Sequence, residues 1–242
     1  MERVVYQQMA ELDDRHWWYR ARRKIIADLI RREAQLPKGA QILEIGCGTG
    51  HNLAMLSGFG DVEGLELDDE ARAISEKRLG RKVMSSPLPE LAGVPNHHYD
   101  LIGAFDVIEH IEDDHAALVS IAAKLKPGAR FIMTVPAHQW MWTAHDVVNH
   151  HKRRYSKRAL KALIKGSPMK LEKVGYFNSL LFPLAIAERA ASKLRGTEAA
   201  DVKLPPAPLN MALEKVFATE RYLAGRLPLP PGLSLFAVAS AR

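Results

Sequence analysis

The sequence feature that most constrains the fold is an apolar run that ends in a glycine-rich turn, over residues 42–50. The run predicts a buried strand, and Gly46, Gly48 and Gly50 follow it at alternate positions. Glycine is required where a side chain would block the approach of a ligand to the backbone. In an open α/β sheet, nucleotide-like ligands bind at the turn that follows the first strand. The turn therefore predicts a parallel sheet with a ligand site at its carboxyl edge.

Strand-like and helix-like segments alternate along the 242 residues, as expected for one large α/β domain with helices on both faces of a sheet. The predicted strands are residues 41–46, 62–67, 82–84, 100–105, 130–136 and 233–239. The predicted helices are residues 16–33, 52–56, 69–79, 114–125, 156–165 and 209–223. Gly80, Gly166 and the Pro127-Gly128 pair act as stop signals.

Two carboxylates near the turn indicate which ligand it binds. A dinucleotide fingerprint has a third glycine three residues after the second, and here that position is His51. Glu44 would repel a pyrophosphate, whereas it suits a ligand with an ammonium and a sulfonium group. Glu66 ends the second predicted strand, where a carboxylate can accept hydrogen bonds from ribose hydroxyls. These residues favour S-adenosylmethionine over NAD.

Several motifs together resemble the class I S-adenosylmethionine-dependent methyltransferases, in the branch that contains the ubiquinone-biosynthesis O-methyltransferases. Residues 44–50 resemble motif I, Glu66 resembles the ribose-binding acid, and residues 99–110 resemble motif IV. The Leu-Lys-Pro-Gly segment at 125–128 is also typical of the family. The resemblance covers about residues 16–176. It implies a doubly wound, mostly parallel, seven-stranded Rossmann-like sheet with helices on both faces.

The resemblance also implies a division of the chain into functional parts. Residues 1–38 form an N-terminal lid helix, and residues 39–176 form the cofactor-binding core. Residues 177–232 form a helical insertion on the acceptor side, and residues 233–242 contain the last strand.

The same resemblance implies which residues hold the cofactor. The backbone of Gly46 and Gly48 lies along the methionine part, Glu66 binds the ribose, Ser85 and its neighbour lie near the adenine, and Phe105 lies beside the cofactor. On the lid helix, an aromatic side chain covers the cofactor and an arginine pairs with its carboxylate. The implied set is Trp18, Arg22, Glu44, Gly46, Cys47, Gly48, Glu66, Leu67, Ser85, Phe105, Asp106 and Val107.

Histidines are concentrated after the strand at 130–136, where the acceptor is expected. Four of the ten histidines and two of the four tryptophans fall within residues 138–151. A hydroxyl acceptor needs a base to remove its proton. We predict His145 as that base, and His110, on the turn after the strand at 100–105, as the second candidate.

A divalent metal is an alternative that the sequence leaves open. Asp106, Glu109 and His110, with a later histidine such as His145 or His150, offer oxygen and nitrogen donors of the right kind. The pattern is similar to the Glu-x-x-Glu-His motif and distant histidine of the small-RNA 2′-O-methyltransferases, although the first acid here is an aspartate. The favoured prediction contains no metal ligand.

Charge and hydropathy indicate the acceptor class. The net charge is +6, and residues 152–173 hold nine Lys/Arg against one acid. Residues 176–195 begin apolar and end basic, a pattern that can lie in a membrane interface. We predict O-methylation of a small-molecule or lipid-linked, anionic acceptor, with peripheral contact to an anionic membrane. The alternatives are an RNA 2′-O-methyltransferase and a cofactor-binding protein without catalysis.

Location follows from three further observations. Cys47 is the single cysteine, no signal-peptide pattern is present, and no apolar stretch reaches the roughly 20 residues that span a bilayer. The sequence therefore predicts a cytoplasmic protein.

Overall fold

The computed structural model describes residues 3–195 and 203–242 and places one mixed sheet at the centre of the domain. Within this described part, the sheet has six strands in the order β2-β1-β3-β4-β6-β5. Strands β1 to β4 are parallel, and β6 is antiparallel to both of its neighbours. The strands are β1 Gln41–Ile45, β2 Asp61–Leu65, β3 Tyr99–Phe105, β4 Leu125–Pro136, β5 Met169–Phe177 and β6 Ser234–Ala241.

Helices cover both faces of the sheet because each strand of the centre is apolar on both sides. On β1, Leu43 and Ile45 face one buried cluster, to which α5 and α7 contribute. Ile42 points to the opposite cluster, shared with α2, α3 and α9, as the two-residue period of a strand requires. The helices are α1 Arg3–Leu12, α2 Trp17–Glu33, α3 His51–Leu56, α4 Asp69–Leu79, α5 Asp114–Lys124, α6 Ala144–Val148, α7 Lys157–Gly166, α8 Phe182–Arg195 and α9 Ala207–Thr219. The predicted Rossmann-like, doubly wound architecture is confirmed.

Local signals explain why the helix boundaries were predictable. Asp68 accepts a hydrogen bond from the Ala71 backbone at the start of α4, and Gly80 ends that helix in the left-handed conformation. Asp113 and Ser156 cap α5 and α7 in the same way. Each cap satisfies a backbone N–H that has no partner within its own helix.

The sheet corrects two predictions about strands. Residues 82–84 form only a single bridge, between Leu65 and Met84. The Glu66 carbonyl, which the next bond of a parallel ladder would use, accepts from Arg72 Nη1 at 3.2 Å instead. Conversely, β5 was not predicted, since its lysines placed it within the basic cluster. As an edge strand, β5 can expose Lys170 to solvent. The described sheet thus has six strands where seven were predicted, and it is mixed but mostly parallel, as predicted, because only β6 runs opposite to the other five.

The N-terminal helices differ from the predicted single lid helix. Helix α2 is a core helix, with Ile25, Ile26 and Leu29 fully buried against the sheet. Only its first turns reach the carboxyl edge of the strands, where α1 precedes it. None of the helices in the described ranges is long and apolar enough to cross a membrane.

Candidate functional site

A cavity of about 770 Å³ opens at the carboxyl edge of β1 to β4. Its size is in the range of small-molecule sites, and its walls combine apolar and polar side chains. Both histidines predicted as bases, His110 and His145, lie in the wall. Nine of the twelve residues predicted to hold the cofactor also line it: Trp18, Arg22, Gly46, Gly48, Glu66, Leu67, Phe105, Asp106 and Val107.

The glycine turn is held in a conformation that other residues adopt at a cost. Gly46 has φ +66°, and a Cβ added to it would lie 2.6 Å from Val107 Cγ2. Gly50 has φ +84°, and its Cβ would lie 2.8 Å from Ser75 Cβ. Both glycines are therefore required by the left-handed backbone and by close packing within the protein. Gly48 lies between them with its N–H turned towards the neighbouring strand.

Glu66 links the turn to β2. One of its carboxylate oxygens accepts a hydrogen bond from the Gly48 N–H at 2.8 Å. The other accepts from the Asp68 N–H at 2.9 Å, and the Tyr6 hydroxyl of α1 lies 3.5 Å from the same oxygen. Burial, and next the Glu66 charge, raise the pKa of Tyr6. The carboxylate is thus fixed in the cavity wall, as a partner for a pair of hydroxyls must be.

Three predicted cofactor residues lie outside the cavity wall. Glu44 is buried and accepts a hydrogen bond from Asn52 Nδ2 at 2.8 Å, and burial raises its pKa to about 8. It therefore supports the start of α3 and is mostly uncharged at neutral pH. Cys47 is buried in the core. Ser85 is exposed, and its neighbour Ser86 is the residue that is buried and lines the cavity.

An ion pair joins α2 to the ends of β3 and β4. Arg22 Nη2 donates to Asp106 Oδ2 at 2.5 Å and to Thr134 Oγ1 at 3.0 Å. Its guanidinium also lies 5.0 Å from the centroid of the Trp18 ring. The sequence predicted that Arg22 pairs with a ligand carboxylate, and in this structure a carboxylate of the protein occupies it. The buried Arg22 Nε has no hydrogen-bond partner in the described structure.

The acceptor side contains an arrangement that the sequence did not reveal. His151 Nδ1 lies 2.9 Å from Asp146 Oδ1, and Arg154 donates to both oxygens of Asp146 at 2.8 and 2.9 Å. The hydrogen bonds from His151 and Arg154 hold the pKa of Asp146 well below its usual range despite burial. His151 was part of the histidine cluster, but no spacing rule shows which histidine meets a carboxylate. The Thr143-x-x-Asp146 pattern signals a capping box, which the structure has, and not a histidine partner.

Glu109 and His110 lie against His151. Glu109 is fully buried with both carboxylate oxygens unpartnered, and burial raises its pKa well above the usual range. The His110 ring stands edge-on to His151, with centroids 4.7 Å apart. Burial, and next the His151 charge, lower the pKa of His110 to about 4. His110 is therefore uncharged at neutral pH and a weak base.

The metal-donor set that the sequence suggested is not brought together. Donor atoms of Glu109, His110 and His151 lie within 4.8 Å of one another. Asp106, the expected first ligand, pairs with Arg22 instead. The third donor is the later histidine His151, and neither of the two named as examples, so Glu109 and His110 are brought together without Asp106.

Sequence comparisons agree with the geometry. A family model described as a methyltransferase domain matches residues 17–171. The ubiquinone biosynthesis O-methyltransferase of Nitrosospira multiformis is 28% identical over 132 residues, 52% of this chain and 50% of that protein. The O-methyltransferase cnsE of Penicillium expansum is 27% identical over 122 residues, 46% and 44% of the two chains. The chain thus spans about half the length of these curated relatives.

Solved structures share the fold at low identity. A chain from the complex between the Haloferax volcanii Trm112 methyltransferase activator and the putative methyltransferase has a TM-score of 0.62 and 17% identity, covering 98% of this chain and 94% of that one. Haemonchus contortus phosphoethanolamine N-methyltransferase 2 in complex with S-adenosyl-L-methionine has a TM-score of 0.57 and 17% identity, with 90% and 52% coverage. Likeness at these identities shows the fold alone.

The raised pKa of Glu44 predicts a pH-dependent stability. Because its pKa rises from 4.5 to about 8 on folding, the native state holds a proton that the unfolded chain has lost. This contribution to stability is lost as pH rises through about 8. The glutamine of Glu44→Gln mimics the protonated carboxyl. We therefore expect the unfolding free energy of this variant, measured relative to wild type, to rise between pH 5 and pH 9 by on the order of a few kcal/mol.

Urea unfolding at both pH values measures the difference. The exposed Glu90→Gln serves as the control and should show no such pH dependence. A Glu44→Gln effect that is equal at the two pH values would show that Glu44 titrates normally in the native state.

Proposed function

This chain belongs to the methyltransferase domain family, and from that premise we propose that it transfers the methyl group of S-adenosylmethionine to an oxygen of a small-molecule or lipid-linked acceptor. One observation carries the proposal. The same cavity is lined by the glycine turn with Glu66 and by the histidines His110, His145 and His151. A cofactor site and an acceptor site thus share one space.

The proposed cofactor position follows the wall of the cavity. The ribose hydroxyls donate to Glu66, whose carboxylate is already fixed by two backbone N–H groups. The methionine part lies along Gly46 and Gly48, where no side chain intervenes. The adenine lies near Ser86, whose buried hydroxyl has no hydrogen-bond partner in the structure. Of the two serines expected near the adenine, Ser86 and not Ser85 therefore takes this role.

The first two helices supply the cover. Tyr6 and Met9 of α1, with Trp17, Trp18 and Tyr19 of α2, line the cavity on its outer side. We propose that these aromatic and apolar side chains exclude water from the cofactor, which is the part a lid plays. The sulfonium supplies an activated methyl carbon, so the protein contributes chiefly orientation and proton removal.

Oxygen is the favoured acceptor atom for two reasons. Two of the curated relatives are named O-methyltransferases. In addition, histidines line the acceptor side, and a hydroxyl, unlike a free amine, must lose its proton during the transfer.

The cofactor proposal predicts a ligand selectivity that calorimetry measures. S-adenosylhomocysteine should bind with micromolar affinity, and NAD should not compete. Glu66→Gln should weaken that binding by about 10–100-fold, the effect of losing charge-assisted hydrogen bonds to two hydroxyls. The exposed Glu90→Gln is the matched control. Tighter binding of NAD, or full affinity in Glu66→Gln, would contradict the proposed site.

Charge inside and outside the cavity indicates how the acceptor is held. The two arginines in the described wall, Arg22 and Arg154, each pair with a carboxylate. Outside, α7 exposes basic side chains, among them Lys161. An anionic part of the acceptor therefore fits the mouth and surface better than the interior, where the hydroxyl enters.

Apolar surface near the acceptor side supports a lipid-linked acceptor. Trp140, Leu180, Leu184 and Ile186 are exposed. Helix α8 packs against the loop that carries Trp140, because the Phe182 and Trp140 rings lie 6.1 Å apart. An exposed apolar surface with basic residues on a nearby helix is the pattern of interfacial binding. The described structure ends α8 at Arg195, and the basic side chains predicted at its end lie outside the described side chains.

Vesicle flotation tests the lipid-linked proposal. We expect the protein to float with equimolar phosphatidylglycerol and phosphatidylcholine vesicles, and to float less at high salt, which screens the charges. Leu184→Glu should reduce the floated fraction severalfold, because it places a charge in the apolar surface. Val119→Glu, on the partly exposed surface of α5, is the control. No flotation of the wild type would restrict the acceptor to soluble molecules.

A further inference from the structure

We propose that His151 is the general base that takes the proton from the acceptor hydroxyl, and that Asp146 is the residue that positions it. This inference rests on the proposed methyl transfer to oxygen and names the residue pair that completes it. It replaces the prediction of His145, because the carboxylate beside His145 in the chain pairs with His151.

The imidazole of His151 has a fixed orientation. With Asp146 at 2.9 Å, His151 Nδ1 carries the hydrogen and donates it, since the ionised carboxylate can only accept. Nε2 is then the unprotonated nitrogen with a free lone pair. A carboxylate that fixes the tautomer in this way is the arrangement by which other enzymes hold a histidine base.

Asp146 is itself held by hydrogen bonds to both of its carboxylate oxygens. Thr143 donates to Asp146 Oδ2 through its backbone N–H at 2.7 Å and its hydroxyl at 3.0 Å. Arg154 donates to both oxygens, and the whole carboxylate is buried. The His151 backbone N–H also bonds to the Asp146 carbonyl at 3.0 Å. The imidazole therefore rests on a rigid support, which accurate proton transfer requires.

The second ring nitrogen of His151, Nε2, makes no hydrogen bond with the neighbouring carboxylate. His151 lines the cavity, and its Nε2 lies 3.9 Å from Glu109 Oε1, which is too far for a hydrogen bond. The Lys152 backbone N–H bonds to the Glu109 carbonyl at 2.8 Å, so the loop that carries His151 is tied to the turn after β3. Nε2 thus has no hydrogen-bond partner among the described residues and belongs to a side chain of the cavity wall.

The acceptor oxygen forms a bond to the methyl carbon while the bond from that carbon to sulfur breaks, and sulfur keeps the electron pair. The hydroxyl proton moves to His151 Nε2, and the resulting imidazolium is stabilised by the Asp146 carboxylate. Release of the proton to water restores the base. The products are the methyl ether and S-adenosylhomocysteine.

The neighbouring histidines are less suited to this task. The pKa of His110 is lowered to about 4, so its ring holds a proton weakly. His145 precedes Asp146 on α6, and the side chain of Asp146 turns to His151 instead.

Turnover of two probe acceptors tests the base. Catechol and 4-nitrocatechol are offered with cofactor carrying a tritiated methyl group; the nitro compound has the more acidic hydroxyl and needs less help from a base. His151→Gln should lower kcat for catechol by about 10²–10⁴-fold, and clearly less for 4-nitrocatechol, with KM little changed. The exposed His115→Gln, remote from the cavity, is the control and should behave as wild type. Equal losses for both acceptors, or none, would overturn the proposal.

A spectroscopic test covers the positioning residue and does not need turnover. Nitrogen-15 NMR of histidine-labelled protein at about pH 8.5, where an ordinary imidazole is neutral, reports which ring nitrogen carries the hydrogen. In the wild type we expect His151 to carry it on Nδ1. In Asp146→Asn, whose amide can donate to Nδ1, the hydrogen should move to Nε2. A wild-type His151 with its hydrogen on Nε2, or a signal that shifts on addition of Mg²⁺ through coordination at Nε2, would overturn the proposal.

Binding of S-adenosylhomocysteine separates this inference from the proposed function. His151→Gln should bind it within about twofold of wild type, because the base contacts the acceptor and not the cofactor. If the wild type itself fails to bind it, the proposed function fails. If binding is intact and His151→Gln retains full turnover, only the assignment of the base fails.

Discussion

The hydrogen bond from the Gly48 N–H to the Glu66 carboxylate is the contact on which the site depends. It joins the turn after β1 to the end of β2, and it does so where the backbone is left-handed at Gly46 and Gly48. On the same turn, Gly46 lies against the side chain of Val107, from the segment after β3, so the segments that follow three neighbouring strands pack together there. The cavity beside the turn exists because this junction is compact. A substitution at Gly46 or Gly48 would therefore strain the left-handed backbone of the protein itself, whether or not a ligand is bound.

Two part-buried arginine–carboxylate pairs contribute to the rest of the wall. Arg22 with Asp106 holds the start of α2 on the ends of β3 and β4, and Arg154 with Asp146 holds the loop before α7. Buried charges persist when they are paired and hydrogen-bonded, and each pair here has additional donors around it. Pairing also makes both sites close to neutral, so the interior of the cavity suits a reacting hydroxyl while basic residues remain outside. Asp146, which pairs with Arg154, also fixes one orientation of His151, so the contact that stabilises the loop is the one that orients the proposed base.

What the sequence could predict depended on how local the signal was. The start and end of α4 were predictable because Asp68 and Gly80 act within one turn of the helix. The glycine turn and Glu66 were recognisable because a close backbone approach leaves few choices of residue. Strand β5 was missed since an edge strand tolerates the lysines of a basic surface. The pairing of Asp146 with His151 was equally hidden, because it depends on how an irregular loop folds back on itself. Glu44 was interpreted by its charge, whereas the buried position that raises its pKa is a property of the assembled sheet.

A crystal structure of the protein with S-adenosylhomocysteine tests the proposed cofactor position. We expect the ribose hydroxyls within hydrogen-bond distance of Glu66, the methionine part along the glycine turn, and the sulfur turned towards the wall that holds His151. Ligand density elsewhere, or a ribose that leaves Glu66 bonded to the backbone of Gly48 and Asp68 alone, would contradict it.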